Sequence, residues 1–195
     1  IEGLSIQDRL HWAAIKGDFE LASALLEEGA SVDAEDQYGA TVLIKASEQG
    51  HTSLVRLFLE KQADSNHRDG FGDTALLKAV TSGHPDIVEL LVNANASVNQ
   101  PDANGNTALM MASRSGDLTA ARLLLASGAK LNLKNQKGWT ALNYARGAEN
   151  TKIEQLLVNR GAVAHSGAKP DKVDLGERLR QRVANPGQGM PVLVE

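Results

Sequence analysis

Residues 68–100 read Arg-Asp-Gly-Phe-Gly-Asp-Thr-Ala-Leu-Leu-Lys-Ala-Val-Thr-Ser-Gly-His-Pro-Asp-Ile-Val-Glu-Leu-Leu-Val-Asn-Ala-Asn-Ala-Ser-Val-Asn-Gln. Asp69 to Gly72 has the composition of a tight turn, and Thr74 suits a helix N-cap. The spacing of Leu76 and Ala79 predicts a short helix to about Ser82, ended by Gly83. Pro85 and Asp86 open a second helix, with Ile87, Leu90 and Leu91 as its apolar stripe. Asn95 stands where the chain leaves that helix in a left-handed conformation, as Gly29, Gly128 and Gly161 do elsewhere. Gln62 holds the same place and is a poorer choice, which predicts a locally different exit there.

The unit recurs. Gly39-Ala40-Thr41, Gly72-Asp73-Thr74, Gly105-Asn106-Thr107 and Gly138-Trp139-Thr140 are 33 residues apart, as are Ala46, Ala79, Ala112 and Ala145. A chain with one fixed period and no insertions builds a stack whose units contact mainly their neighbours. The predicted fold class is an all-α repeat solenoid of five units, about 5–34, 35–67, 68–100, 101–133 and 134–164, within a domain spanning 1–164.

The turn Asp-x-x-Gly-x-Thr, the pairs Gly50-His51 and Gly83-His84, and the run Leu-Leu-Val before Ala-x-Val-Asn together resemble the ankyrin repeat. The resemblance implies helix-turn-helix units, β-hairpin fingers, and a concave face lined by fingers and first helices. It also implies that His11, His51 and His84 make hydrogen bonds within and between units. Val42, Ala75, Ala108 and Ala141 replace the family's proline, and Glu149-Asn150 replaces Gly-His, so the last inter-helix turn is expected to differ. The first unit has Asp8 for the family's Thr, as befits an N-terminal cap.

Chemistry leaves few traces in the sequence. There is no His-Glu-x-x-His, Gly-x-Ser-x-Gly or Walker-type motif, and each Asp fits a turn or a cap. The chain is read as non-catalytic, with no cofactor and no metal. Zero cysteines exclude disulfides and thiolate ligands. A net charge of −4 argues against a general nucleic-acid binder, and no apolar run is long enough to span a membrane. The chain begins at Ile1, which is read as a fragment or a processed protein; a cytoplasmic location is expected.

The aromatics are few and oddly placed. Of seven, Phe19 and Phe58 fit helix cores, whereas Tyr38, Phe71 and Trp139 fall near the turn tips. Trp12 and Tyr144 share one first-helix column with Lys45, Lys78 and Met111. Large aromatics are common interface anchors. The expected function is therefore binding of a protein partner through Trp12, Tyr38, Lys45, Phe71, Asp73, Lys78, Met111, Arg114, Trp139 and Tyr144. Lys45, Lys78 and Arg114 are expected to bring positive charge, tempered by Glu48 and Asp73. The alternative is that the rings pack on adjacent fingers.

From His165 the composition shifts to a linker, then Leu175, Leu179 and Val183 at helical spacing, then an extended end. Residues 165–195 are expected to cap the last unit, or else to gate the binding face. A monomer is expected unless this tail exchanges between chains. A small-ligand or catalytic site is the remaining alternative.

Overall fold

The computed structural model describes residues 3–164. The tail helix, its capping or gating role, and His165 lie outside the described residues. Ten helices follow in order: α1 (Ile6–Lys16), α2 (Phe19–Glu27), α3 (Val42–Gln49), α4 (Thr52–Glu60), α5 (Ala75–Ser82), α6 (Pro85–Asn93), α7 (Ala108–Ser115), α8 (Leu118–Ala126), α9 (Ala141–Gly147) and α10 (Thr151–Val158). Consecutive helices pack as pairs. The first helices of the pairs stack on one another from α1 to α9, and the second helices from α2 to α10, so the solenoid has two helical layers.

Small residues set the spacing between first helices. Ala13, Ala46, Ala79, Ala112 and Ala145 are fully buried, and Leu43, Leu76, Leu109 and Leu142 fill the space beside them. Burying a leucine is worth about 2 kcal/mol, so the recurring column contributes a steady increment per pair.

Among the described residues no strand forms. Each finger is a turn built on one side chain. Asp36 Oδ1 accepts the amides of Tyr38 and Ala40, at 2.8 and 2.9 Å. Asp69, Asp102 and Asn135 do the same for the amides two and four residues on. The tips are then tied along the stack by single backbone bonds: Gly70 to Tyr38 O, Ala103 to Phe71 O and Gln136 to Asn104 O. A second ladder runs behind them. Asp33, Asn66, Asn99 and Asn132 each accept a backbone amide from the next pair, at 2.7 to 2.9 Å.

Three sequence expectations need correction. Phe19, read as a helix-core residue, is 40% exposed at the start of α2. Gln62 leaves α4 as Asn95 leaves α6, with φ of 63° and 60°, and Ala63 N and Ala96 N bond back to Phe58 O and Leu91 O alike. The closing bonds hold Gln62 in the left-handed region despite a cost of about 1 kcal/mol. The turn before α10 differs less than expected: α9 ends one residue early, capped by Ala148 at φ −90°, but the path into α10 is kept. Glu149 takes φ 60° where the other turns have glycine, and Asn150 replaces the histidine, donating to Ser113 O and Arg114 O. His51 and His84 reach Ile15 O and Glu48 O in the same way, at 3.0 and 3.2 Å. Their rings occupy the space that a Cβ on Gly17 or Gly50 would need.

Candidate functional site

All ten predicted site residues lie in the turns or on the first helices. What they do there differs along the stack. The reason is the second polar atom of the turn residue. Oδ1 is spent on the turn in every case; the other atom faces the side chain nine residues on at Asp36, Asp69 and Asn135, and Asn106 at Asp102.

In the first half that side chain is lysine. Lys45 Nζ sits 2.9 Å from Asp36 Oδ2 and 6.0 Å from the centre of the Tyr38 ring. Lys78 is buried, with Nζ 2.9 Å from Asp73, 3.7 Å from Asp69 and 3.9 Å from Glu48. The two lysines therefore do not supply free positive charge as expected from sequence. Their stems are packed and their ammonium groups face carboxylates. Around Lys78 three carboxylates meet one cation, so the local balance is acidic.

Two carboxyls record this. At Asp36 burial pushes the pKa up, but the Lys45 ammonium and the amides of Ala40 and Tyr38 outweigh it, and the result is lowered. At Asp73 burial is the largest influence and Lys78 opposes it, while repulsion from Asp69 and Asp102 adds to burial, so the result is raised.

In the second half the same positions carry a hydrogen-bonded network of amides and a phenol that ends on the Asp102 carboxylate. Asn135 Nδ2 donates to Asn106 Oδ1 at 2.8 Å and to the Tyr144 oxygen at 3.0 Å. The Tyr144 hydroxyl donates to Asn106 Oδ1 at 2.9 Å, and Asn106 Nδ2 donates to Asp102 Oδ2 at 2.9 Å. All four residues are buried. Trp139 meets Tyr144 edge to face, with ring centres 5.6 Å apart, and Lys137 Nζ lies 4.9 Å from the Trp139 ring centre. Met111 is buried in the same column.

The predicted residues thus fall into two sets. Met111, Trp139 and Tyr144 are buried, with Trp139 packed on Tyr144 and Lys137 of its own unit, and Lys78 is closed in by acids. Trp12, Tyr38, Asp73 and Arg114 are half-buried. Phe71 is 62% exposed at the tip of its turn. Sequence reading missed Asn106 and Asn135, which organise the amide network, and His67, which donates to Gly39 O at 2.8 Å and lies 3.6 Å from Glu35. His11 reaches Ala40 O at 3.0 Å, so it ties α1 to the first turn as the family resemblance implied.

The described residues hold no group of three or more His, Cys, Asp or Glu placed to bind a metal ion. Nor is any described helix long and apolar enough to cross a membrane. A family model described as ankyrin repeats in three copies matches residues 10–102 and again 95–168. The chain belongs to the ankyrin-repeat family. Ankyrin repeats are generally protein–protein interaction modules and generally not catalysts. No curated protein matches this ankyrin chain.

Proposed function

We propose that the chain recognises a protein partner across the angle between its turns and first helices, with Phe71 as the central anchor. The observation that carries this reading is the exposure of Phe71, 62%, on a tip fixed by two bonds to Asp69 Oδ1 and one bond to the neighbouring turn. A large ring held rigidly in water loses little entropy when a partner covers it, and such anchors contribute about 2 kcal/mol or more. Tyr38 and Trp12 extend the contact toward the first pair, and Asp73 and Glu48 border it with acid. The mechanism is a preformed surface, without catalysis. Met111, Trp139 and Tyr144 support that surface from beneath.

The test is capture of partners from a source-cell lysate by the native chain and by a Tyr38→Ala/Phe71→Ala variant of matched melting temperature. A protein held by the native chain and lost by the variant is the expected result. Equal capture by both removes this face from the reading.

A further inference from the structure

The layer of second helices carries a feature that the turns and first helices do not explain. Between α8 and α10 lies an open cavity of about 530 Å³, floored by Leu118 and Leu156 and ringed by Arg122, Lys152 and Arg160. The three cations are exposed, and none forms an ion pair with a described residue. Glu154, the one carboxylate on α10, is taken by Arg146 at 2.8 Å. The remaining lining residues, Gln155 and Asn159, are neutral.

The repeat architecture does not call for this charge. One period earlier the three cation positions are Glu89, Thr119 and Ser127; two periods earlier they are Arg56, Asp86 and Ala94. The equivalent sites one and two periods earlier are acidic and mixed, in a chain whose net charge is −4. The cationic rim is confined to the last pairs.

We propose that this cavity docks an acidic segment of a partner protein, its carboxylates over Arg122, Lys152 and Arg160 and an apolar side chain against Leu118 and Leu156. Charge complementarity selects the occupant. The guanidinium groups suit paired carboxylates, and the leucine floor rewards an apolar residue between them. Nucleic acid is a poorer fit, because the lining has no aromatic ring on which a base could stack. Residues 165–195 are a poorer fit as well, since they carry five Lys and Arg against four Asp and Glu. The site is separate from the surface around Phe71, so either can fail alone.

The experiment is fluorescence anisotropy at low salt with the full chain and a labelled peptide in which two Glu residues flank a Leu on each side. Arg122→Ala/Lys152→Ala/Arg160→Ala should weaken binding about tenfold or more. Phe71→Ala should leave it unchanged, and raising the salt should weaken it. All three cation side chains are exposed, so the triple variant should keep its melting curve; Lys152→Glu alone gives a second reading. The proposal is overturned if the native chain does not bind the peptide, or if the triple variant binds it equally. An oligonucleotide of equal charge that binds as tightly and is lost in parallel also overturns it, in favour of a general polyanion site.

Discussion

Asp69 with Lys78 and Asn135 with Tyr144 occupy the same two positions of the repeat, yet one pair is ionic and the other neutral. The backbone treats them alike. Asp69 and Asn135 each close the turn through Oδ1 with two amides, so the turn tolerates an acid or an amide. The free choice is the second atom. A carboxylate oxygen there favours a cation, and the Lys78 ammonium lies 3.7 Å away; an amide nitrogen needs an acceptor, and Tyr144 and Asn106 supply two. The fold fixes the place of the side chains, and local pairing decides whether that stretch of surface is charged.

The hardest blow to this comparison is Lys78→Met, which gives the third pair the residue that Met111 provides in the fourth. Asp69 and Asp73 would then face each other without the Lys78 ammonium, and Glu48 would lose its contact with it. Breaking a buried pair by removing one partner is costly, and with Asp73 and Glu48 partly exposed the expected loss is about 2–3 kcal/mol at neutral pH by urea unfolding. A loss under about 0.5 kcal/mol would mean that the carboxylates are well solvated and that the contrast is cosmetic.

A transplant asks whether pairing is the whole difference. Asn135→Asp keeps the turn but turns an oxygen toward Asn106 Oδ1, and Tyr144→Lys removes the hydroxyl that bridges the two asparagines. Each alone should cost about 2 kcal/mol. Together they rebuild the Asp69–Lys78 arrangement, so the double variant should recover about 1 kcal/mol relative to the sum of the singles. Additive losses would show that the Trp139 edge contact and the Asn106 geometry matter more than charge matching.

The sequence made the scaffold legible because every unit repeats the same spacing, so one reading of Thr74, Gly83 and Asn95 carried over except at Gln62 and Glu149, where a side chain stood in for the expected residue. It also placed the ten candidate residues on the correct rows. It misjudged their state. Spacing shows that Asp36 and Lys45 share a face, but not that the ammonium bends back onto the carboxylate at 2.9 Å. Trp139 read as a tip residue because its glycine neighbour marks the turn; burial came from Tyr144 and Lys137, which no one-dimensional rule joins to it. One signal was available. Within the chain the turn residue and the residue nine later are Asp with Lys twice, Asp with Met once and Asn with Tyr once. Reading those two columns as a pair separates the two lysine-paired acids from Asn135 and Tyr144, but it does not show that Asp102 is answered by Asn106 instead.

The smallest effect concerns pH, and it separates two acids within the ionic half. Asp36 has a lowered folded pKa, so the stability it contributes is present above its unfolded pKa and is lost as pH falls through the folded value. Asp73 has a raised folded pKa, so folding favours its protonated form; what it contributes is present below the unfolded pKa and is lost as pH rises through the folded value. Asp36→Asn should therefore destabilise the chain at pH 7 and lose that effect in acid. Asp73→Asn copies the residue that Asn106 supplies one period later. At pH 7 it removes a repelled carboxylate, while Lys78 keeps Asp69 and Glu48. Its stability relative to the native chain should be higher at pH 7 than at pH 3, the opposite trend to Asp36→Asn. Melting curves of both variants and the native chain across that range decide it. Parallel trends would mean that Lys78 holds Asp73 as firmly as Lys45 holds Asp36, and that the cluster behaves as two independent pairs rather than as three acids sharing one cation.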